Sequence, residues 1–240
     1  MNDSPVFLTG DEIECSPVSA AVVSYMSPAA LAALDVPGTV IAGGYARFLY
    51  ALQHPTAIRE IPAQDIDIFR FTPVDQEPAA AAYYTDVLRH VGYYGETVKE
   101  YSTTYRAAEE PGRSLALKAQ VILADGHTSD APAWLTPEDV LSSFGFRAEM
   151  FGIVKDGDGY VFLTTARAQE DAQAAKITIN RTNNPIRTAR RIVKYGQKGF
   201  DIAPSQVALL FDAFVKASEA DRALWNTDLE SDEYNFQNGK

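Results

Sequence analysis

The chain has 240 residues, of which 46% are hydrophobic and 11% aromatic, and this composition favours a large folded core over disorder. Its formal net charge of −11 excludes a protein that coats nucleic acid through its overall charge, but not a local basic groove. The lone Cys15 cannot form an internal disulfide, and three widely spaced histidines argue against a zinc site. Neither an apolar run of bilayer length nor a signal peptide is visible, so we expect a soluble cytoplasmic protein.

The first elements lead into a glycine-rich turn. Residues 19–26 fit either a short strand or part of a helix, and Ser27-Pro28 then has the cap and first residue of a helix that stops near Gly38. An apolar strand follows at Val40 to Ala42, then two glycines, and then a helix over Tyr45 to Leu52. This order predicts strand, tight turn and helix.

Two aspartates stand on the next predicted strand, which covers residues 64–69. Because side chains alternate along a strand, Asp65 and Asp67 share one face, and Ile66 and Ile68 share the other. Neighbouring carboxylates repel each other, and a shared divalent cation is a common reason to keep them together. Oxygen ligands of this kind suit Mg²⁺ or Mn²⁺, with water and substrate phosphates completing the shell.

The two glycines supply the second half of a nucleotide site. Gly43 and Gly44 let the backbone approach a ligand closely, and the N-terminus of the following helix favours a phosphate. A glycine pair or an Asp-x-Asp alone indicates little. Together, in this order and about twenty residues apart, they predict a site for a metal-bound nucleotide.

At these residues the sequence resembles the nucleotidyltransferase superfamily of DNA polymerase β, poly(A) polymerases and CCA-adding enzymes. Residues 42–47, AGGYAR, are similar to the Gly-Gly-x-x-Arg turn of the last two, although Phe48 stands where they usually have aspartate. The resemblance implies that Asp65 and Asp67 are catalytic and bind the metal. It also implies that Gly43, Gly44 and Tyr45 hold the β- and γ-phosphates, and that Arg47 contacts phosphate or supports the site.

The middle of the chain raises the question of a third acid. A helix is predicted from Pro78 to Gly92, one or two strands between Gly92 and Arg106, and a buried central strand over residues 114–124. In the superfamily a third carboxylate stands on that last strand, and the aligned position here is Gln120. Lys118 lies on the same face, where it opposes a second metal or holds a phosphate. The alternative acids are Asp125 and Glu149.

A hairpin and several short elements follow. Thr136-Pro137 begins a helix, and strands over residues 145–154 and 160–164 flank a Lys-Asp-Gly-Asp-Gly turn. That turn fits a hairpin better than a calcium loop, because the later ligands of such a loop are missing. Residues 165–175 are predicted helical and residues 176–179 form a short strand.

A basic helix begins at Pro185 and ends at Gly196 or Gly199. Arg187, Arg190, Arg191 and Lys194 recur three and four residues apart and therefore share a face, while Ile186, Ala189, Ile192 and Val193 lie largely on another. The basic face is either a solvated surface with acidic partners or a contact for triphosphate or RNA. An amphipathic helix from Pro204 to Leu224 is expected to pack against it.

Residues 138–200 resemble viral and cellular predicted nucleotidyltransferases. Phe144-Gly145 stands where these have Phe-Asp, and residues 191–200, RIVKYGQKGF, are similar to their Arg-x-x-Lys-Tyr-x-x-Arg-Gly-Phe. With the glycine turn and the aspartates, the likeness covers residues 38–200. It is compatible with a viral protein and with a cellular one.

The sequence therefore predicts an α+β protein, a nucleotidyltransferase-type mixed sheet flanked by helices. We expect one domain over residues 1–180 and a C-terminal helical segment over residues 181–240. The leading hypothesis is Mg²⁺-dependent transfer of a nucleoside monophosphate from a triphosphate to RNA, protein or a small molecule. The alternative is a catalytically impaired binding or structural module with the same fold.

Overall fold

The computed structural model of the protein describes residues 11–58, 61–71, 77–99, 102–107, 118–122, 134–182, 184–223 and 225. Several predictions fall outside these ranges. They concern Asp125, the two ends of the predicted central strand (residues 114–117 and 123–124) and the tail from residue 226. Among the described helices, none is long and apolar enough to cross a bilayer.

The described residues include eight α-helices and ten strands with the following bounds, and residues 219–223 are also helical. The helices are α1 (Ala20–Val23), α2 (Pro28–Leu34), α3 (Gly44–Gln53), α4 (Glu77–His90), α5 (Pro137–Ser142), α6 (Ala166–Gln173), α7 (Pro185–Gln197) and α8 (Pro204–Lys216). The strands are β1 (Ile13–Pro17), β2 (Thr39–Ala42), β3 (Asp65–Arg70), β4 (Tyr93–Lys99), β5 (Ser102–Ala107), β6 (Lys118–Ile122), β7 (Gly152–Asp156), β8 (Gly159–Thr165), β9 (Lys176–Ile177) and β10 (Asp201–Ile202).

The main sheet has the strand order β1-β8-β7-β2-β3-β6-β5-β4. Its β3 and β6 are parallel, whereas its other neighbouring strands are antiparallel. A separate pair, β9 and β10, is parallel. The prediction of a mixed sheet flanked by helices is confirmed, as is the tight hairpin, in which Asp156 pairs with Gly159 across the turn.

Helices cover the two sides of the sheet unequally. On one side Ile41, Ile66 and Ile68 are fully buried in a large core with side chains of α2, α3 and α4. On the other side a smaller core joins Val40 and Phe69 to residues of α5. This alternation along β2 and β3 leaves the carboxylates of β3 on the less covered side.

The last two long helices belong to a third core. Tyr195, Phe200 and Leu210 are buried together with Phe146 and Ile179, and α8 packs against α7 as predicted. The proposed boundary near residue 180 remains a prediction.

One predicted strand is wrong in its first half. Residues 145–151 do not extend β7. Arg147–Glu149 instead form a short 3-10 helix, and the strand begins at Gly152. The carbonyl of Gly145 accepts from the N–H of Asn180 at 2.9 Å, which holds this segment away from the main sheet. Arg147 then pairs with Asp171 at 2.7 Å, so the turn is fixed by side chains distant in sequence.

The predicted apolar face of α7 is also wrong in part. Val193 is 64% exposed, whereas Thr188 and Tyr195 are buried. Tyr195 and Thr188 turn toward the protein because both hydroxyls find partners there, Tyr195 with Glu149 and Thr188 with Thr182. The helix is therefore rotated about its axis relative to the orientation that the apolar residues predicted. As a result, its basic side lies next to its buried side.

Candidate functional site

The glycine turn between β2 and α3 forms one wall of the site. Gly43 has φ 80° and ψ −138°, a conformation that favours glycine, and its N–H donates to the carbonyl of Phe151 at 2.9 Å. A β-carbon on Gly43 would lie 3.1 Å from the Phe144 ring, whereas one on Gly44 would meet nothing described within 4 Å. The space in front of Gly44 is therefore open.

The N-terminus of α3 has free hydrogen-bonding capacity. No described side chain caps it, although side-chain caps are present on α1, α2, α5, α6 and α7. Uncapped first-turn N–H groups and the positive end of the helix dipole both favour an anion. Tyr45 can offer an anion only its backbone N–H, because its ring is buried and its hydroxyl accepts from the N–H of Ser27 at 2.8 Å.

The acid pair faces this turn. Ala42 pairs with Asp67 across β2 and β3, and Oδ2 of Asp67 lies 3.7 Å from the position of a β-carbon on Gly43. Asp65 is exposed and Asp67 is half-buried. Burial, together with the charges of Asp65 and Glu149, raises the pKa of Asp67 to about 7. A bound cation would offset that unfavourable charge.

The strand beside the acids carries an amide and a lysine. In the parallel register Lys118 is the partner of Asp65, and Gln120 is the partner of Asp67. Gln120 is half-buried and its Nε2 donates to Ser102 Oγ at 3.1 Å. Lys118 is exposed. The position that sequence alignment assigns to the third acid is thus directly beside Asp67, and it holds no negative charge.

The carboxylate of Glu149, the other candidate acid, is bound by two side chains of α7. It is 5% exposed, accepts from Nη2 of Arg191 at 2.6 Å, and accepts a short hydrogen bond from the hydroxyl of Tyr195. Burial, followed by the charge of Glu149, raises the pKa of Tyr195 above its ordinary value. This carboxylate therefore holds α7 against the 3-10 segment.

Arg47 lies beneath the same helix. It is 2% exposed, its Nη1 donates to the carbonyl of Ala148 at 3.3 Å, and its Nε has no hydrogen-bond partner among the described residues. Its guanidinium carbon lies 5.8 Å from the ring centre of Tyr195 and 5.3 Å from that of Phe200. Of the two roles considered for Arg47, this burial favours support over direct phosphate contact.

The basic side of α7 is turned toward the acids. The charges of Arg191 and Lys194 lower the pKa of Asp67 against the effect of burial, which places both within electrostatic reach. Lys194 and Arg187 are exposed, and Arg190 is half-buried. The helix therefore offers cations beside the carboxylates, while Arg191 is already paired with Glu149.

Lys198 joins this group and was not singled out from the sequence. Burial, then the charges of Lys194 and Arg47, lowers its pKa, while Asp65 and Glu149 act in the opposite direction. Its Nζ lies 5.4 Å from the ring centre of Tyr195. The signal was its spacing, four residues after Lys194, which continues the same helical side.

The residues fit one divalent cation. Two carboxylates, Asp65 and Asp67, stand beside an open turn, and burial raises the pKa of Asp67. Mg²⁺ is often held by one or two carboxylates with substrate phosphates completing the shell. In the described part of the chain, no three histidine, cysteine, aspartate or glutamate side chains converge to hold a metal ion.

Solved structures with a similar fold are CCA-adding enzymes. A complex of such an enzyme with ATP has 18% identity and a TM-score of 0.56, covering 90% of this chain and 51% of that one. The apo form I has 18% identity and a TM-score of 0.55, covering 84% and 46%. A Thermotoga maritima enzyme complexed with tRNA has 19% identity and a TM-score of 0.53, covering 83% and 45%.

These comparisons establish the fold. The protein has a nucleotidyltransferase-type fold and spans about half the length of these similar structures. No protein-family model and no curated protein matches the sequence.

The raised pKa of Asp67 predicts a pH dependence of folding. Between the unfolded value of 3.8 and the folded value of about 7, the folded state binds more protons, so this group's stabilising contribution declines as pH rises through that window. Asp67→Asn should remove this slope and be more stable than the native chain above neutral pH, by at most about 4 kcal/mol.

Chemical denaturation at about pH 5 and about pH 8 measures this difference. The control is Asp35→Asn at an exposed position, which should keep the native slope. Equal slopes in the native chain and Asp67→Asn would contradict the assignment.

The link between Glu149 and Arg191 predicts an asymmetric effect on stability. Arg191→Ala would leave a buried carboxylate without its cation, and we expect a loss of about 3 kcal/mol in the free energy of unfolding. Lys155→Ala breaks the exposed pair with Asp35 and should leave the urea midpoint unchanged. If the two variants unfold at the same urea concentration, Glu149 does not anchor α7.

Proposed function

We propose that the protein is a divalent-metal-dependent nucleotidyltransferase, which moves a nucleoside monophosphate from a nucleoside triphosphate to an acceptor hydroxyl. The observation that carries this proposal is the position of Asp67, whose carboxylate lies beside the open glycine turn. Acceptors considered are RNA, a protein and a small molecule. The similar structures include complexes with ATP, CTP and tRNA, which supports nucleotides and RNA as partners.

The triphosphate is placed between the turn and α7. The backbone N–H groups of Gly44 and Tyr45 would bind phosphate oxygens at the uncapped start of α3. Lys194 and Lys198 would add positive charge from α7, with Arg187 and Arg190 further along that helix. Arg47 and Arg191 hold the helix and the turn in place.

Asp65 and Asp67 would hold Mg²⁺ or Mn²⁺, which when bound neutralises charge on the phosphates. The acceptor oxygen attacks the α-phosphorus, the bond from that phosphorus to the bridging β-phosphate oxygen breaks, and pyrophosphate leaves. Lys194 and Lys198 stabilise the charge that develops on the leaving group. Because Gln120 cannot accept a proton as a carboxylate does, the hydroxyl proton passes to water.

Gln120 also supports a second candidate function. A nucleotidyltransferase fold with two acids in place of three fits a module that binds a nucleotide without turnover. Cytoplasmic location and a viral origin remain predictions from the sequence.

Loss of either acid should abolish transfer. With labelled triphosphates, Mg²⁺ or Mn²⁺ and bulk RNA, we expect the native chain to give labelled product, and Asp65→Asn and Asp67→Asn to lower it by at least about 100-fold. Asp86→Asn, exposed on α4, is the matched control and should keep full activity. Triphosphate binding without product in the native chain would favour the module, and absence of both would refute the proposal.

Gly44→Ala separates phosphate binding from folding. A β-carbon there meets nothing described within 4 Å and alanine suits the first turn of a helix, so the variant should unfold no earlier than the native chain. The same methyl group would fill the space assigned to phosphate, and we expect triphosphate affinity to fall by about 10-fold, or 1.4 kcal/mol, in calorimetric titration. Gly196→Ala on α7 has equally open surroundings and should leave affinity unchanged. Undiminished binding by Gly44→Ala would show that phosphate sits elsewhere.

A further inference from the structure

The last long helix, α8, turns apolar side chains away from the protein. Phe211 is 68% exposed, Val215 is 71% exposed, and Ala208 is exposed as well. These residues recur three and four positions apart, so they share one side of the helix. We call Ala208, Phe211 and Val215 the α8 stripe. Large apolar side chains that adjoin one another at a surface mark a place where another segment binds.

The chain turns back toward this stripe where α8 ends. Ala217 is extended, with φ −66° and ψ 148°, and the hydroxyl of Ser218 then caps a short helical turn. That turn brings Trp225 back to α8, where its ring centre lies 6.2 Å from that of Phe214. Phe211 precedes Phe214 by three residues, a rise of about 4.5 Å, on the neighbouring part of the helix surface. The chain therefore leaves Trp225 beside the α8 stripe.

The residues that follow Trp225 have a composition that complements this surface. Residues 226–240, the tail segment, combine large apolar side chains with acidic ones and a single lysine. The apolar ones are Leu229, Tyr234 and Phe236, and the acidic ones are Asp228, Glu230, Asp232 and Glu233. α8 packs against α7, which carries the exposed cations Arg187 and Lys194. The tail segment therefore matches the α8 stripe in apolar character and the neighbouring helix in charge.

We propose that the tail segment binds the α8 stripe within the same molecule, with its apolar side chains against Phe211 and Val215 and its acids toward the cations of α7. The length is sufficient, because residues 226–240 can span at most about 50 Å, whereas all of α8 is about 20 Å long. The bound segment shields the stripe from the apolar surfaces of other molecules. This inference is independent of the proposed catalysis.

A second copy of the chain is a less favourable occupant of the α8 stripe. Two large exposed side chains, Phe211 and Val215, bury far less than the roughly 800 Å² per partner of a specific interface between proteins. A segment joined to the same helix needs no such area, because its effective concentration at the stripe is set by the short connection from Trp225. Attachment therefore favours the tail segment over a separate molecule.

The test measures how fast a thiol reagent reaches the α8 stripe in the full chain. Cys15→Ser removes the one native thiol, and Val215→Cys then puts a thiol on the stripe. The matched control is Tyr83→Cys on α4, at a residue that is 51% exposed. Leu229→Ser with Phe236→Ser is added to each. We expect this tail variant to speed modification at position 215 by at least about 5-fold, because a bound segment protects what it covers, and to leave position 83 unchanged.

Three results would overturn the proposal. Modification at position 215 that is equally fast with the native and the substituted tail segment would show that this segment does not cover the stripe. A rate that falls with rising protein concentration, and that the tail variant leaves unchanged, would show that a second copy covers it. Equal acceleration at positions 215 and 83 would show that the tail segment supports the whole fold. For the charges, Asp232→Asn with Glu233→Gln should speed modification at position 215, as added salt should in the native tail segment.

Discussion

The pairing of β2 with β3 decides where this protein can act on a ligand. Because Ala42 is the partner of Asp67 in an antiparallel pair, β2 ends in the glycine turn at the same edge of the sheet at which β3 begins with its two acids. The period of two then sends Asp65 and Asp67 to one side and Ile66 and Ile68 into the core. A shift of one residue would exchange the carboxylates with the isoleucines, so the apolar core itself fixes the position of the charges.

At that position the ionised form of Asp67 is energetically unfavourable when no ligand is bound. The raised pKa of Asp67 expresses the unfavourable ionisation of a partly buried carboxylate beside Asp65 and Glu149. The chain compensates from α7, where Arg191 neutralises Glu149 and Lys194 adds charge near Asp67. Arg47 lies below, between the turn and the rings of Tyr195 and Phe200. The acids, the turn and the basic helix therefore form one electrostatic unit, built from segments more than a hundred residues apart.

The sequence was informative where a local pattern decides the structure. The alternation in Asp-Ile-Asp-Ile predicted the side on which each residue lies, and chain order placed Gln120 beside Asp67, as the parallel register shows. The pattern of elements was sufficient to predict the mixed sheet and the tight hairpin at Asp156.

The failures have a common cause in contacts between distant segments. The turn at Arg147–Glu149 depends on Asp171 and on α7, which no local pattern reveals. The rotation of α7 follows from Tyr195, which is buried because its hydroxyl finds Glu149. Lys198 was missed because its place near the acids depends on that rotation.

The most direct test of the account is a crystal structure of the native chain with Mn²⁺ and a non-hydrolysable nucleoside triphosphate. We expect an anomalous peak for Mn²⁺ bound by the carboxylates of Asp65 and Asp67, with phosphate oxygens at the backbone of Gly44. A triphosphate bound away from that turn, or a cation that leaves both aspartates without contact, would contradict it.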